Sequence, residues 1–566
     1  MRKLIYGAFN ALAAGEIARF EQASDNPREA QLERLQDILS RARATAFGKD
    51  HGLASAHTYE DFRRSVPIRE YDGFRPFIDR IVAGEQNILT AEDPFMLATT
   101  SGTTGSQKFI PITPSYMREF GKASTTSCHH LLRHFPRVPE GCSLTVFSPA
   151  EEGRTPGGLP FGAISGGLYM REKWAMKRFI APIPYEVFQI KDYEVRYYCL
   201  LRAALSLPIS TFYTLNPSTI ALLSRRLQQY GGDLARDIYD GTVRAPGEVP
   251  AAARQSLKRF MRPQKEKARA LASLAEQDQC VPYKVWPELQ VICCWTKAAA
   301  AFYIADFPEF FGSTPVCDIT YGASEGRGTV FLGPDKQALA LRTHFYEFVP
   351  EDEIGSAKPT TLLADELSVG SNYYILFTTS GGLYRYHIND VVKVTGFHNR
   401  TPLIEFQYKG GNIFSFTGEK ITELQVTEAM ARTLAELSLK LRFFTVIPEF
   451  RPAPHYRLWV EPLPGGESLI ESIKEQLSAV YDRQLGASNI EYRAKRESLR
   501  LEQIVVETIA PGSYEAYRKA LVASGVPDSQ IKLSHLNPKP ETRAHFEALL
   551  DKHLPAPSAL RSLGVS

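Results

Sequence analysis

The sequence predicts an α/β protein with a large N-terminal domain over residues 1–415 and a small α+β domain over residues 416–566. Three observations predict this class. Apolar, β-branched segments alternate with helical patterns in the first part of the chain, which is typical of β-sheets flanked by helices. Short strands then follow one another over residues 316–416, which predicts a β-barrel-like layer. The Gly-bearing segment Gly410–Lys420, which lacks periodicity, marks the domain boundary before helices return.

Individual elements are predicted from hydrophobic periodicity and turn residues. Leu32, Leu35 and Leu39 recur at helical spacing before Gly48, which predicts a helix over residues 28–46. The other predicted helices are 114–134, 217–230, surface helices within 250–276, 298–311, 421–438, 467–483 and 512–523. The predicted strands are Cys142–Ser148, Ile209–Leu215, Leu289–Thr296, Val316–Thr320, Gly328–Leu332, Leu341–Val349, Tyr373–Thr379, Gly382–Thr395, Leu403–Tyr408, 441–447, 456–461 and 501–505.

The N-terminal segment has two interpretations. Arg2-Lys3 followed by the apolar Leu4–Ala14 imitates a signal peptide. Glu16 and Arg19 continue a helical pattern beyond it, so we favour an amphipathic first helix. No run of 18 or more apolar residues exists, so no membrane-spanning helix is expected.

Composition excludes several classes of function. The 66 Lys+Arg and 63 Asp+Glu leave a net charge of +3, which is too small a surplus for an electrostatically driven nucleic-acid binder. Seven cysteines with no Cys-x-x-Cys pattern indicate a reducing compartment. No zinc motif is present. We therefore expect a cytoplasmic monomer without nucleic-acid or membrane partners.

The first candidate site is the string Thr99–Lys108, which reads TTSGTTGSQK. Five hydroxyl side chains precede Gly105, and backbone N–H groups of such a loop can bind phosphate oxygens, with Lys108 as a point charge. It is not a Walker A loop. An ordinary polar turn is the alternative. The candidate phosphate-binding residues are Thr100, Ser101, Gly102, Thr103, Thr104, Gly105 and Lys108.

Two later strings extend the pattern. The loop resembles the phosphate-loop motif of the adenylate-forming enzymes, Tyr321–Glu325 (YGASE) resembles their Y-x-x-S-E motif, and Tyr384–Asp390 (YRYHIND) resembles Y-R-x-x-G-D. Together with Phe345–Pro350 (FYEFVP) and residues 44–52, these motifs are similar to those of the Gretchen Hagen family of acyl acid amido synthetases, and we expect a bacterial-type member. The resemblance is clear over residues 30–440 and weaker beyond.

The resemblance implies roles in binding ATP and Mg²⁺. Glu325 supplies the hard oxygen that Mg²⁺ prefers beside phosphates, and Tyr321 suits stacking on adenine. Gly322, Ala323 and Ser324 belong to the same nucleotide-binding motif. The alternative for Glu325 is a surface turn.

Asp390 is the candidate partner of the ribose hydroxyls, with a strand-end turn as the alternative. The family carries Gly before this Asp, whereas this chain has Asn389. Asparagine tolerates the left-handed backbone region, so we expect the turn to be kept.

Two lysines near the C-terminus are candidates for catalysis. Lys420, in Gly418–Ile421, lies where adenylate-forming enzymes have the hinge of a mobile C-terminal domain, with a surface helix start as the alternative. Lys532 lies where the family carries a late lysine, but Ser534 and His535 replace the Pro and Arg that follow it there.

Three residues are candidates for the acyl site. The family lines its acyl site partly from the helix at 114–134, which makes His129 a candidate, although a solvated histidine fits as well. Phe345 and Tyr346 align with an aromatic acyl-site segment, which favours an apolar or aromatic acid. Ordinary strand packing is the alternative for both.

The implied activity has two half-reactions. A small carboxylic acid and ATP give an acyl-adenylate and pyrophosphate, and the amine of an amino acid then displaces AMP. An acyl-CoA ligase is the main alternative. A serine hydrolase would use Ser324 in Gly322–Gly326, a formal G-x-S-x-G, but that elbow needs a following helix and Gly328–Leu332 predicts a strand. A non-catalytic binding protein is the third possibility.

Overall fold

The computed structural model describes two compact units, Met1–Gln407 and Tyr408–Ser566. The residues described are 1–100, 108–147, 150–297, 300–356, 358–410, 421–449, 454–497, 501–524, 526, 531, 533–537 and 540–551. The domain boundary expected at 415 lies outside them and stays a prediction. Within them, no helix combines the length and apolarity needed to span a membrane.

The first unit contains sixteen described α-helices, several short 3-10 helices and most of the strands. The helices are Arg2–Asp25 (α1), Pro27–Ala42 (α2), Ala46–Asp50 (α3), Tyr59–Ser65 (α4), Arg75–Val82 (α5), Pro114–His134 (α6), Ile164–Arg171 (α7), Tyr185–Phe188 (α8), Tyr193–Ala204 (α9), Pro217–Gln229 (α10), Gly231–Asp240 (α11), Ala251–Leu257 (α12), Lys265–Glu276 (α13), Pro282–Val285 (α14), Ala300–Ile304 (α15) and Phe307–Phe311 (α16). The strands are Met96–Thr100 (β1), Lys108–Ile112 (β2), Cys142–Thr145 (β3), Gly153–Arg154 (β4), Pro160–Gly162 (β5), Ile209–Tyr213 (β6), Val291–Cys294 (β7), Val316–Asp318 (β8), Thr329–Gly333 (β9), Lys336–Leu339 (β10), Phe345–Pro350 (β11), Asn372–Thr378 (β12), Tyr386–His398 (β13) and Thr401–Lys409 (β14).

A parallel sheet forms one half of the unit, with the strand order β3-β6-β7-β8. Its strands are short apolar runs, and helices connect them, as parallel pairing requires. Strand β8 was expected in the β-rich layer. It pairs instead with β7, because the two short helices α15 and α16 carry the chain back to the same sheet edge.

The predicted β-rich layer is a six-stranded sheet with the order β11-β12-β13-β14-β10-β9. Its core side chains pack with those of α2 and α6 in one cluster. A further four-stranded sheet, β2-β1-β5-β4, holds the two strands that flank the first motif. Strands β10, β4 and β5 were not predicted, because they are too short to show a period.

Helix α6 illustrates how local sequence sets an element. Thr113 accepts a hydrogen bond from the backbone N–H of Tyr116 at 3.2 Å, and Pro114 occupies the first turn, where its missing N–H costs nothing. The helix ends at His134, as the sequence predicts. It packs against β9 and so reaches the second motif.

The second unit is a three-stranded sheet covered by helices, with the strand order β15-β16-β17. Its strands are Leu441–Glu449 (β15), His455–Pro462 (β16) and Val505–Thr508 (β17), and its helices are Glu423–Glu436 (α17), Glu467–Ser472 (α18), Lys474–Ser488 (α19), Ile490–Glu497 (α20), Ser513–Ala523 (α21) and Pro540–Asp551 (α22). This is the predicted α+β unit.

Several predicted boundaries are wrong. The strand expected at 501–505 lies at 505–508, and the helix expected at 467–483 is interrupted at Ile473. The helix expected at 298–311 is two short helices, with Pro308 in the first turn of the second. Proline cannot continue a helix from the preceding turn, which is why the pattern breaks there.

The cysteines are buried thiols rather than cross-links. All seven are free, and six of them are buried. Cys293 and Cys294 lie together on β7, as predicted for two core thiols on a strand.

Candidate active site

The first motif begins and ends on paired strands. Thr100 on β1 pairs with Lys108 on β2, so the antiparallel ladder brings the two ends of the loop together. The loop residues Ser101, Gly102, Thr103, Thr104 and Gly105 lie outside the described residues, as does the side chain of Thr100. Their role in binding phosphate therefore stays a prediction.

Lys108 lies against an aromatic ring that the sequence did not single out. Its Nζ is 5.3 Å from the centroid of Tyr71, and the Tyr71 hydroxyl accepts a 2.8 Å hydrogen bond from the backbone N–H of Phe109. A ring face attracts an ammonium group, so this contact orients Lys108. A tyrosine 37 positions earlier carries no sequence signal for such a contact.

The second motif forms a turn between β8 and β9. Gly322 and Arg327 form a β-bridge, and Ser324 lies within the turn. The next element of the chain is strand β9, as predicted, and not a helix. The strand-to-helix elbow that a serine hydrolase requires is therefore missing at Ser324.

Helix α6 fixes this turn from one side. The hydroxyl of Tyr116, a fully buried residue, donates a 2.9 Å hydrogen bond to the carbonyl oxygen of Ser324. The ring of Tyr116 stacks on His344 with centroids 5.4 Å apart. Tyr116 is therefore a support of the motif, and nothing in the sequence indicated this role.

The third motif has two residues in the left-handed backbone region, one just before β13 and one within it. Asn389 has φ 66° and Arg385 has φ 50°. The first value shows Asn389, inside β13, in the left-handed backbone region that we expect asparagine to tolerate. The second explains why β13 begins at Tyr386, whereas the strand was predicted from Gly382.

Arg385 connects the third motif to strand β11 and to the backbone near Arg63. Its Nε lies 3.0 and 2.9 Å from the two carboxylate oxygens of Glu347 on β11, and its Nη1 donates to the carbonyl oxygens of Arg63 and Val66. Both members of the ion pair are buried. Buried charges are tolerated when paired and hydrogen-bonded in this way.

The second and third motifs meet at two hydrogen bonds. The Tyr321 hydroxyl donates to Asp390 Oδ2 at 2.7 Å, and the Tyr386 hydroxyl donates to Glu325 Oε1 at 3.5 Å. Glu325 and Asp390 are 7% and 6% exposed. The Tyr321 ring stacks on Phe406 at 5.7 Å. The two candidate carboxylates therefore belong to one buried cluster.

The pKa values of the two tyrosines reflect the nearby carboxylates. Burial raises the pKa of Tyr386 well above its usual value, and the carboxylates of Glu325 and Asp390 raise it further. Burial and Asp390 likewise raise the pKa of Tyr321. Both phenols remain protonated donors at neutral pH.

The three candidate acyl residues lie in different surroundings. Phe345 is buried against Tyr59, with ring centroids 5.7 Å apart, and Tyr346 donates its hydroxyl to the carbonyl oxygen of Arg327 at 2.6 Å. Consecutive strand residues face opposite sides of a sheet, so Phe345 and Tyr346 cannot line one pocket from the same face. The Nδ1 atom of His129 lies 3.1 Å from Oδ1 of Asn10 on α1. Their substrate roles stay predictions.

Lys420 and Lys532 lie outside the described residues. Three positions after Lys532 in the sequence, His535 is buried, and its Nδ1 lies 2.7 Å from the carbonyl oxygen of Phe444. Burial lowers the pKa of His535 to about 4, so it is neutral at pH 7. It cannot supply the charge of the family's arginine at this position.

The implied Mg²⁺ fits the donors that the site offers. Among the described residues there is no group of three or more side chains able to hold a metal ion by themselves. Mg²⁺ beside nucleotides commonly takes one or two carboxylates and completes its shell with phosphate oxygens and water. Glu325 accepts one long hydrogen bond, and a carboxylate has about four acceptor positions, so it can still serve as a ligand.

The fold matches that of two solved structures. A solved structure of a GH3.15 acyl acid amido synthetase superposes with a TM-score of 0.82 at 21% identity, over 94% of this chain and 95% of that one. A second structure, of AtGH3.15 acyl acid amido synthetase in complex with 2,4-DB, superposes equally well at 22% identity. The chain thus has the two-unit α/β fold of an acyl acid amido synthetase.

Models of three consecutive family domains match the sequence. They are the GH3 family N-terminal domain over residues 16–316, the central domain over 337–409 and the C-terminal domain over 424–541. The chain belongs to the GH3 family. Similar relatives are the jasmonoyl–L-amino acid synthetase JAR4 of Nicotiana attenuata, 26% identical over 91% of this chain and 92% of its own, and the indole-3-acetic acid-amido synthetase GH3.3 of Arabidopsis thaliana, 24% identical over 92% and 94%.

Proposed function

We propose that the protein is an ATP-dependent acyl acid amido synthetase that joins a small carboxylic acid to the amine of an amino acid. Family membership and the names of its relatives support the reaction class. The observation that carries the proposal is the buried cluster in which Tyr321 binds Asp390 and Tyr386 binds Glu325. It joins two motifs that the resemblance assigns to one nucleotide.

The first half-reaction needs positioning more than a protein nucleophile. The acid's carboxylate attacks the α-phosphorus of ATP in line, and pyrophosphate leaves. In the proposed site Lys108 and the loop hold phosphate oxygens, and Asp390 accepts hydrogen bonds from ribose hydroxyls while keeping the one from Tyr321. Bound Mg²⁺, held by Glu325, offsets charge that builds on the phosphates.

The second half-reaction transfers the acyl group. The amine attacks the acyl carbon, AMP leaves, and the amine loses its proton to a base or to water. Lys420 and Lys532 are the proposed participants from the second unit. We also propose a cytoplasmic location, since a reducing compartment suits seven free thiols. A monomer stays a prediction that size-exclusion chromatography tests.

Two assays test the proposal. The purified chain is incubated with ATP, Mg²⁺ and a carboxylic-acid panel while pyrophosphate is followed, and release that depends on one acid is expected. Amino acids or coenzyme A are then added, and products are read by mass spectrometry. Amide products support the proposal, thioester products favour the acyl-CoA ligase, and no pyrophosphate from any acid refutes both.

A further inference from the structure

The residue Arg327, which closes the turn of the second motif, has no acidic partner among the described residues. Its Nη1 donates to Thr320 Oγ1, and its guanidinium carbon lies 4.3 Å from the ring centroid of Phe120 on α6. Its Nε is buried and has no hydrogen-bond partner in the part of the chain that the structure describes.

Arg327 is partly buried, and the buried arginines of this unit are satisfied differently. Arg34 pairs with Glu119, and Arg385 pairs with Glu347. Arg202 donates to the backbone carbonyl oxygens of Thr242 and Asp237. The fold thus supplies a carboxylate or several carbonyl oxygens to each of these, whereas Arg327 has one hydroxyl and an aromatic face.

The surroundings of Arg327 are aromatic. Besides Phe120, the tyrosines Tyr213, Tyr116 and Tyr346 interact electrostatically with it, and burial lowers the pKa of the guanidinium. Arginine stays charged even so. The buried, unpaired Nε of this partly buried cation carries a cost in free energy, and an anion delivered by a ligand would reduce that cost.

Arg327 also lies next to the second motif along the chain. It lies two positions from Glu325, and two residues of extended chain span at most about 7 Å. A Cβ on Gly322 would lie 3.2 Å from Arg327 Cδ, so the bare glycine at this position gives the arginine side chain room beside the motif. The aromatic ring of an acid spans a length comparable to this chain distance.

We propose that Arg327 binds a second carboxylate on the acid substrate, so that the substrate class is a dicarboxylic acid with an apolar or aromatic body. The inference rests on the proposed function. The carboxylate that is activated loses its charge when the acyl-adenylate forms, and pairing with it would leave Arg327 uncompensated in the second half-reaction. A second carboxylate keeps its charge throughout. A bidentate pair with arginine also fixes its orientation.

Matched acids test this inference in the first half-reaction, with no amine present. Pyrophosphate release is compared for benzoate against terephthalate and isophthalate, and for hexanoate against adipate. The wild-type protein is expected to favour a dicarboxylate in kcat/KM by about 100-fold or more, as a site built for a polar group discriminates. Equal or greater activity with the monocarboxylates overturns the inference and leaves the proposed function standing.

The variant Arg327→Met provides a second test of the inference. It is expected to lose about 100-fold in kcat/KM for the dicarboxylate and to abolish the preference over its monocarboxylate. The control Arg133→Met removes the same charge from an exposed position near the end of α6 and is expected to keep the preference. A preference that survives in Arg327→Met overturns the inference.

A binding measurement separates the inference from the proposed function. Dicarboxylates are expected to raise the melting temperature of the wild-type protein without ATP, and Arg327→Met is expected to remove this shift. If no acid releases pyrophosphate, the proposed function fails, and the melting shift still decides the role of Arg327. If dicarboxylates shift neither protein, the inference fails.

Discussion

Tyr321 and Asp390 lie 69 positions apart and share a 2.7 Å hydrogen bond inside the first unit. The tyrosine opens the second motif, and the aspartate closes the third. A Cβ on Gly328 would lie 2.2 Å from Cδ1 of Tyr321, so only glycine at position 328 lets the tyrosine ring take this place. The bond therefore orients a carboxylate and a ring that we propose contact the ribose and the adenine of one ATP.

Removing the hydroxyl in Tyr321→Phe is expected to weaken both stability and ATP binding. Asp390 is 6% exposed and would lose a donor, which typically costs about 1–3 kcal/mol of unfolding free energy. The ATP KM is expected to rise, because the carboxylate is no longer held in one rotamer. Urea unfolding and steady-state kinetics measure these effects. Tyr283→Phe, at a 39% exposed tyrosine, is the control and should change neither quantity.

Glu325→Gln tests the magnesium assignment. Glutamine keeps the size of the side chain and an oxygen that can accept from Tyr386, but it removes the charge that holds the ion. Pyrophosphate release is expected to fall by about 100-fold or more, and the half-saturating Mg²⁺ concentration should rise. Glu288→Gln, at an exposed glutamate, is the matched control. An unimpaired Glu325→Gln enzyme would refute the assignment.

Sequence reasoning predicted the long elements well because their patterns are local. Helix α6 was placed correctly from Pro114 to His134, since a proline start and helical spacing are both local signals. Strand β8 was assigned to the wrong sheet, because pairing with β7 is decided by the connection between them and not by its own residues. The break at Pro308 carried a local signal that the Ala-rich run obscured.

Sequence motifs predicted only those residues of the candidate site that lie within a contiguous string. Glu325, Tyr321 and Asp390 were named from strings, and the structure places them in one cluster. Tyr71 and Tyr116, which contact the first and second motifs, come from other elements and were missed, because nothing in their own neighbourhoods indicates a tertiary contact.

The buried pair Arg385–Glu347 is predicted to be a strong determinant of stability. In Arg385→Met, Glu347 keeps a buried charge at 1% exposure, and loss of one partner of such a pair typically costs about 3–5 kcal/mol. The double variant Arg385→Met/Glu347→Leu is expected to recover part of this loss. Recovery should be incomplete, because Tyr59 loses its acceptor, a Glu347 oxygen at 2.9 Å. Chemical denaturation of the wild-type protein and the two variants measures the loss and its partial recovery.

An exposed ion pair provides the comparison for that buried pair. Arg225 and Asp306 lie 3.1 Å apart, with side chains 37% and 41% exposed. Arg225→Met is expected to change the unfolding free energy by less than about 1 kcal/mol, since water screens such pairs. Equal losses in Arg225→Met and Arg385→Met would contradict the importance given to burial.

Asp318, at the end of β8, is predicted to make the protein less stable as pH rises toward neutrality. Burial raises the pKa of its carboxyl from 3.8 to about 6, although hydrogen bonds to Thr296 and the charge of Lys297 oppose the shift. The folded chain thus holds this proton more tightly than the unfolded chain, and the stability it contributes is lost as pH rises from about 4 to about 6. Asp318→Asn stays neutral, so it should match the wild-type protein near pH 4 and exceed it by up to about 2 kcal/mol above pH 7. Urea unfolding across this range measures the difference, and a gap that does not change with pH would contradict the assignment.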